Sequence, residues 1–518
     1  MTTNSESAAP AARTYFGWQL EKVNFIWGLS GQRAIMLGAA VLLGIWPLSM
    51  SAPRQGIVLW PIAALLAVLA YLRVAGRTVD EWLVAAISYG GLRLSDRHKY
   101  LGAAFTPRSK KRGVKPRLDL PGILAPLTIR EVVDGNLEPM AIAQHELDGT
   151  FTAVARIRYP GIALVDQSRR DQRVAGWGAL LSGLCTEGNP IVRVQALQRL
   201  VPESGAALRR WHDDHLSDSA PEAAAEITKT LLQNSTLATS EREAFLAFTL
   251  DKRRAASAIK AAGGGAAGAS VVLVRQIHAL SSAITGADLQ IESWLSPRDL
   301  AEVLRTAFDP HSSRVLAEQR ANAATTRAMG AEGTNVPGVP PTMAGPAAAE
   351  AHRGHYQHDG AYSVSYWIGQ WPEHEIFSTA LAPLLGEGIH HRRSISIHIE
   401  PLSPRKAESE VMRERTARHV AVSMRKKSGQ IVPEHEQMAL EQARAQDRER
   451  AAGHGLVRFS AYATVTVTDL ADLENACAAL ESSAAQARIE IRRMWMAQDV
   501  GFALAALPLG MGLPKKRY

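Results

Sequence analysis

The chain has 518 residues, of which 46% are hydrophobic and 21% are charged, and its mean hydropathy is −0.08. These averages exclude a polytopic transporter, which would be far more apolar, and a largely disordered chain, which could not bury enough apolar surface to fold. The formal net charge of +8 and the pI near 9.5 predict an acidic partner, either nucleic acid or an anionic membrane face. Two cysteines, Cys185 and Cys477, are too few for a disulfide framework or a four-cysteine metal site.

Two uncharged apolar stretches lie near the N-terminus, one between Arg33 and Arg54 and one between Arg54 and Arg73. Each approaches the roughly 20 apolar residues that a helix needs to cross a bilayer. We therefore expect a transmembrane hairpin, with helices at about 34–53 and 55–73, inside a membrane anchor that comprises residues 1–117. A cleaved signal peptide and a buried hairpin of a soluble domain are the alternatives. They are less favoured because the two runs are consecutive and neither has a polar face.

The basic residues after the second stretch predict the orientation of this hairpin. Eleven Lys and Arg lie from Arg73 to Arg117, whereas the connecting turn carries only Arg54. The positive-inside rule then places both termini in the cytoplasm and makes the chain a multi-pass protein of the inner (plasma) membrane. The densest basic block is predicted to contact anionic lipid, with a solvated flank or a nucleic-acid contact as alternatives. Its candidate residues are Arg108, Lys110, Lys111, Arg112, Lys115 and Arg117.

From about residue 118 onward, helix and strand patterns alternate without another membrane-length apolar run. Ser296 followed by Asp299 predicts a helix N-terminus with a capping box. In the segment 394–402, three isoleucines alternate with polar residues, which predicts a half-buried strand. The segment 320–350 is rich in Ala, Gly and Pro and predicts a flexible linker.

The expected fold class is a membrane-anchored α+β protein. It consists of the N-terminal transmembrane helical hairpin and a cytoplasmic α+β body of two related halves, residues 118–319 and 351–518, on either side of the linker.

Sequence motifs for catalysis are missing from the chain. It has no phosphate-binding GxxxxGK[ST] loop, no GxSxG elbow and no HExxH pair, and the glycine-rich stretch 263–268 has no lysine placed to reach a phosphate. His352, His355 and His358 have a spacing that could suit a metal, although a polar loop is the favoured interpretation. We therefore predict no enzyme, and no catalytic, cofactor-binding or metal-binding residue.

A long charged helical region covers about residues 403–451 and is interrupted by Gly429 and Pro433. Charges of both signs at helical spacing indicate a solvated, ion-paired face. The basic run Arg425, Lys426 and Lys427 is the predicted contact with an acidic partner.

Two parts of the chain resemble proteins of bacterial conjugation. The hairpin and the following segment RVAGRTVDEWLVAAISYGGLRL resemble PrgI-type two-helix membrane proteins of type IV secretion systems. The body resembles the non-catalytic N-terminal domain of the large type IV secretion ATPase. The segments that carry this resemblance are YSVSYWIGQWP, SISIHIEPLSPRKAESEV, LADLENACAAL, IEIRRMW and ALAALPLG. In that ATPase family a similar ending leads into the phosphate-loop domain, whereas this sequence stops at Tyr518.

The resemblance implies a structural inner-membrane subunit of a type IV secretion or conjugation apparatus, of the kind found in actinobacterial elements. Such a subunit would anchor and dock a separate secretion ATPase. Its expected partners are that ATPase, other membrane subunits and lipid, within an oligomeric assembly. The alternative is a membrane-tethered nucleic-acid-binding protein that acts on transferred DNA, for which salt-dependent binding would be diagnostic.

Overall fold

The computed structural model describes residues 31–49, 53–71, 73–74, 77–102, 120–133, 138–158, 165–202, 212, 215–217, 219, 221–235, 240–328, 338–372, 381–385, 391–427, 429 and 431–512. Within these residues the helices are α1 (Gly31–Ser49), α2 (Pro53–Tyr71), α3 (Val79–Leu94), α4 (Gln167–Leu184), α5 (Glu222–Ser235), α6 (Ala256–Ala261), α7 (Gly265–Gly286), α8 (Pro297–Phe308), α9 (Ser312–Ala328), α10 (Ala382–Leu385), α11 (Pro404–Lys427), α12 (Glu434–Ala451), α13 (Leu473–Gln486) and α14 (Gln498–Ala506).

The strands are β1 (Arg73–Val74), β2 (Arg77–Thr78), β3 (Lys99–Leu101), β4 (Leu127–Val133), β5 (Pro139–His145), β6 (Thr150–Arg158), β7 (Ile191–Pro202), β8 (Ser240–Asp251), β9 (Gln290–Trp294), β10 (Ala348–Ala351), β11 (Tyr356–His358), β12 (Ala361–Gln370), β13 (Arg392–Pro401), β14 (Val457–Val467) and β15 (Glu490–Arg493). Among the described residues, β1 and β2 form a small ribbon and the other 13 strands form one sheet. Its main order is β3-β10-β11-β12-β14-β13-β7-β8-β6-β5-β4.

The order of this sheet is mirrored about the pair β7 and β13. On one side of the pair the strands follow as β8, β6, β5 and β4, and on the other side as β14, β12, β11 and β10. The short strand β9 pairs with β6, and its counterpart β15 pairs with β12. The central pair is antiparallel, with Leu200 opposite Arg393 and Val194 opposite Ile399. The predicted ranges 118–319 and 351–518 therefore contribute to one continuous sheet.

Helices cover both faces of the sheet. On one face α8 and α14 meet over the central strands, where the Phe308 and Phe502 rings are 5.1 Å apart. On the other face α4 and α7 pack against the first half and α13 packs against the second half. The alternation along β8 shows why both faces are covered, since Phe245 points into one core and Phe248 into the other. Burial of each such side chain contributes roughly 1.5–3 kcal/mol.

The start of α8 follows the sequence prediction. Ser296 accepts a hydrogen bond from the backbone N–H of Asp299, whose carboxylate accepts one from the N–H of Ser296. Pro297 occupies the first helical position, where its missing N–H costs no hydrogen bond. The capping box is therefore confirmed, and it fixes the point where the chain leaves β9 and enters the core.

Strand β13 is more buried than its sequence predicts. The isoleucines face one core as expected, but their polar neighbours Ser394, Ser396 and His398 are buried as well. The reason is that α14 lies across this face of the sheet, with the carbonyl oxygen of Leu504 2.9 Å from Nε2 of His398. On β12, two strands away, a Cβ on Gly501 would be 2.6 Å from the Cβ of Ser365. Small hydroxyl side chains leave the room that a close helix needs. The prediction of a half-buried strand was therefore wrong for the second face.

Regular structure extends into the segment 320–350, which the sequence predicts as a linker. Helix α9 continues to Ala328 because alanine strongly favours helix. Strand β10 begins at Ala348 and pairs with both β3 and β11. The linker prediction was therefore wrong at both ends, and residues 329–337 lie outside the described residues.

Candidate membrane anchor and docking surfaces

Helices α1 and α2 pack against each other as a hairpin whose outer surface is apolar. The Nε1 atom of Trp60 donates a hydrogen bond to the carbonyl oxygen of Gly44, 3.2 Å away, close to the turn that Pro47 interrupts. The exposed apolar side chains are Val41, Leu42, Ile45, Trp46, Ile57, Val58, Trp60, Ile62, Leu65 and Val68. An exposed apolar surface of this extent indicates contact with a membrane or with another protein.

A test of length and composition gives a different candidate for a membrane span. One helix among the described residues passes that test, and it is α7. Its side chains Leu273, Ile277 and Ile284 are buried against the sheet, so α7 occupies the position of a core helix. The apolar parts of α1 and α2 are shorter, at Met36–Pro47 and Gly56–Ala70. By this criterion the two-span anchor is not supported, and it stays a prediction.

Helix α3 and strand β3 connect this hairpin to the body. Strand β3 pairs with β10 and becomes the outermost strand on its side of the sheet. The N–H of Gly102 donates to the carbonyl oxygen of Ala347 at 2.8 Å, and the buried Tyr89 hydroxyl donates to that of Ala351 at 3.3 Å. The exposed apolar side chains of α3 are Leu83, Val84, Ile87 and Leu94. The segment that leaves the hairpin is thus built into the sheet.

The predicted lipid-contact residues lie outside the described part of the chain. They are Arg108, Lys110, Lys111, Arg112, Lys115 and Arg117, in the range 103–119 that follows β3. Their role stays a prediction.

The predicted partner-contact residues lie in the last turn of α11. Arg425 forms an ion pair with Glu436 of α12 at 2.8 Å. Lys426 and Lys427 are exposed, and neither forms an ion pair with a described residue. The structure therefore separates the three residues into one that joins two helices and two that remain open to a partner.

Ion pairs also cover much of the rest of this helical hairpin, as the mixed charges predict. Arg415 pairs with Asp447 across the two helices at 2.7 Å, and Arg418 pairs with Glu414 along α11 at 2.9 Å. These exposed pairs contribute little to stability, typically about 0–1 kcal/mol each.

The three histidines of the segment 352–358 do not converge on one point. His352 and His355 stack on each other with ring centroids 4.5 Å apart. His358 lies in β11, fully buried, with Nδ1 against the carbonyl oxygen of Phe308 and Nε2 2.7 Å from the Ser363 hydroxyl. Within the described part of the chain, no group of His, Cys, Asp and Glu side chains has the arrangement of a metal site. The predicted polar loop is therefore wrong for His358, which lies in a buried strand.

The glycine-rich stretch forms the tight turn between α6 and α7. Gly263, Gly264 and Gly265 have φ angles of 94°, 75° and 64°, which L-residues rarely adopt. A Cβ on Gly268 would be 2.7 Å from the carbonyl oxygen of Ile259. These glycines thus serve backbone geometry, and α7 begins at Gly265.

One polar contact region was not predicted from the sequence. The segment after α14 crosses the centre of the sheet, where Gln195 donates to the carbonyl oxygen of Leu507 at 2.9 Å and accepts from the N–H of Gly510. Arg193 and Thr249 donate to the carbonyl oxygen of Gly510. Gln195 and Arg193 lie on β7, so this segment ties the second half of the chain to the first.

Comparison with known families gives a match to residues 238–368. The family is EccE, which is assigned to the type VII ESX secretion system translocon. The matched residues run from just before β8 to within β12, about a quarter of the chain. No match to a curated protein was found. The family match indicates a structural membrane component of a secretion system.

Proposed function

We propose that the protein is a structural inner-membrane subunit of a bacterial secretion apparatus, with no catalytic role of its own. Helices α1 and α2 form a two-span anchor with both termini in the cytoplasm, and the sheet forms a cytoplasmic body. The observation that carries this proposal is the continuity between the two parts. The exposed apolar hairpin leads through α3 into β3, which is hydrogen-bonded into the sheet that contains the EccE-like residues.

The body is proposed to consist of two related halves. The mirrored strand order about β7 and β13 supports this proposal, since each half places equivalent strands and covering helices in the same sequence. Each half also inserts helices at the same point, α5 between β7 and β8 and the α11–α12 pair between β13 and β14.

The type of apparatus is a separate proposal. The sequence resemblance names type IV secretion and conjugation, whereas the family match names a type VII system. The N-terminal hairpin and the segment SISIHIEPLSPRKAESEV, which carry much of the type IV resemblance, lie outside the matched residues. We therefore propose a conjugation apparatus of the type IV class whose body shares features with EccE.

Docking of a separate secretion ATPase is the proposed task of the body. Purification of the tagged full-length protein from its native membranes, in a mild detergent, is expected to recover a phosphate-loop ATPase together with other membrane subunits. Conjugation subunits among them would support the type IV proposal, and ESX subunits would replace it by type VII. Repeated purification without any ATPase would contradict docking.

A paired substitution tests the contact at the end of α11. Lys426→Glu with Lys427→Glu is expected to lower ATPase recovery several-fold, because exposed cations that steer an acidic partner become repulsive. The control is Arg444→Glu with Arg448→Glu on α12, which makes the same change of charge at exposed positions. Equal recovery of the ATPase with both variants would contradict a contact between the ATPase and Lys426 and Lys427.

A further inference from the structure

Helix α3 has two apolar sides, and the described part of the protein covers one of them. On this inner side the buried Tyr89 hydroxyl donates to the carbonyl oxygen of Ala351 in β10, and Leu92 packs against the core that α8 and α14 share with the sheet. These contacts fix the helix to the edge of the sheet. Because a helix that is apolar on both sides is stable only when both are covered, the outer side requires an apolar neighbour.

The outer side of α3 is a continuous apolar strip. At about 100° per residue, five of its residues fall in a sector about 100° wide, roughly opposite Tyr89. This outer face of α3 consists of Leu83, Val84, Ile87, Gly91 and Leu94, all of them exposed. The four large side chains are between 44% and 92% exposed. From Leu83 to the end of the helix, no charged or polar residue falls in the sector.

The path of the chain brings α3 to the end of the hairpin. Helix α2 ends at Tyr71 and α3 begins at Val79, with the antiparallel β1–β2 ribbon between them. The two helices are in contact with each other. If α2 spans the membrane as proposed, its C-terminal end lies at the cytoplasmic surface, and α3 begins at that same surface.

Helix α3 is not suited to cross the bilayer itself. Val79–Leu94 is shorter than the roughly 20 residues that span the hydrocarbon layer, and its inner side is bonded to the sheet. The helix therefore has room only between the sheet and the membrane surface. Basic residues lie in the sequence on both sides of it, which favours an anionic leaflet. They are Arg73 and Arg77 before the helix, and Arg93, Arg97 and Lys99 at its end.

We propose that α3 lies in the plane of the cytoplasmic membrane surface, with its outer face in the boundary between headgroups and acyl chains. The side chains of Leu83, Val84, Ile87 and Leu94 enter this boundary to a depth of about 5–10 Å, as in other interfacial helices. Since the inner side is bonded to the sheet, this contact fixes the angle at which the body stands on the membrane. The inference rests on the proposed anchor, because the anchor brings α3 to the surface.

The test uses the full-length protein in vesicles of phosphatidylethanolamine and phosphatidylglycerol, with a fluorophore on Leu94→Cys. Both native cysteines are buried, so a thiol reagent labels the introduced one selectively. Lipid with a spin label near its headgroup is expected to quench this fluorophore several-fold more than lipid with a spin label at the end of an acyl chain, because an interfacial helix stays shallow.

Two further labelling positions calibrate the depth. A fluorophore on Leu65→Cys, within α2, should show the reverse order, because a spanning helix reaches the ends of the acyl chains. A fluorophore on Ser409→Cys should be quenched by neither lipid, since Ser409 is exposed on α11, which leaves the other end of the sheet.

A double substitution makes the test specific. Val84→Glu with Ile87→Glu is expected to reduce shallow quenching at Leu94→Cys several-fold, because ionised carboxylates do not enter an apolar boundary. Both positions are exposed, so the fold should be kept, which thermal unfolding checks. The control Met412→Glu with Val420→Glu makes the same change at exposed apolar positions of α11 and should leave the quenching unchanged.

The labelling positions separate a failure of this proposal from a failure of the anchor. Deep quenching at Leu65→Cys without quenching at Leu94→Cys would overturn the α3 contact and leave the anchor in place. Absence of quenching at Leu65→Cys would overturn the anchor and the α3 contact with it. A fluorophore at Leu94→Cys that is shielded from water but quenched by neither lipid would assign the outer face to a protein subunit instead. Equal quenching with and without Val84→Glu and Ile87→Glu would likewise overturn the proposal.

Discussion

Two buried histidines show how surroundings decide the protonation of a residue. The His398 ring is buried beneath α14, where its Nε2 atom lies 2.9 Å from the carbonyl oxygen of Leu504. Burial lowers the pKa of His398 to about 4, and it does the same for His358 in β11. Both rings are therefore neutral parts of the core at physiological pH.

The protein is expected to lose stability as the pH falls below the ordinary histidine pKa of about 6.5. The unfolded chain takes up protons there, whereas the folded chain does so only near pH 4, so the stabilisation present above pH 6.5 disappears between these values. The loss approaches about 3 kcal/mol for each histidine. Thermal unfolding midpoints at about pH 7.5 and pH 5 measure it.

The variant His398→Gln should show a smaller fall of the midpoint, because one titrating group is removed. The control His454→Gln changes an exposed histidine and should keep the full fall. An identical fall in all three proteins would show that the buried ring does not contribute.

Elements in the first half are joined by a buried ion pair. Arg199 of β7 donates through Nε to the carboxylate of Glu243 in β8 at 2.9 Å, and through Nη1 to the carbonyl oxygen of Val303 in α8 at 2.9 Å. The side chains of Arg199 and Glu243 are 4% and 19% exposed. Burial opposes the charged form of Glu243, yet the Arg199 guanidinium holds the pKa of that carboxyl below its ordinary value.

Glu243→Gln is expected to lower the free energy of unfolding by about 3–5 kcal/mol, because it leaves Arg199 buried without a counter-charge. Urea titration measures the change. The control Glu318→Gln removes the exposed pair with Arg314 on α9 and should cost less than about 1 kcal/mol. Similar losses in both variants would mean that the buried pair contributes no more to the free energy of unfolding than the exposed pair.

Local sequence patterns predicted the helix ends that depend only on neighbouring residues. The capping box at Ser296 and the break between α11 and α12 are set by neighbouring residues, and both are present. The burial of Ser396 could not be predicted in this way, because it depends on a helix about a hundred residues later in the chain. Helix α14 itself is apolar on all sides, so its periodicity does not distinguish it from a strand.

Some features of the candidate surfaces could be predicted from the sequence, and others could not. The apolar surface of the α1–α2 hairpin and the exposed Lys426 and Lys427 were identifiable because charge and hydropathy are local properties. The spacing of His352, His355 and His358 could not show that a strand would take one of them into the core.

The molecule as a whole is held together across its centre. Strands β7 and β13 pair along seven successive positions, and the segment after α14 bonds to Gln195 on β7. Each half therefore completes a surface of the other, although each has its own strands and covering helices.

We expect that the halves cannot fold separately but can assemble from two chains. Fragments 31–328 and 338–512, expressed together, should co-purify, because the contacts between them are non-covalent and extensive. Expressed alone, each should aggregate, since it exposes the edge of β7 or of β13. A soluble, cooperatively unfolding fragment on its own would contradict this prediction.

The antiparallel pairing of β7 and β13 gives the body a polarity. Since the two strands run in opposite directions, the insertion after β7 leaves from one end of the sheet and the insertion after β13 leaves from the other. Lys99 of β3 lies about level with Arg392 at the start of β13, so the chain from α3 joins the sheet at the end from which the insertion with α5 leaves. A repeated architecture thus has two unlike poles, one that receives the chain from the hairpin and one that carries the α11–α12 pair.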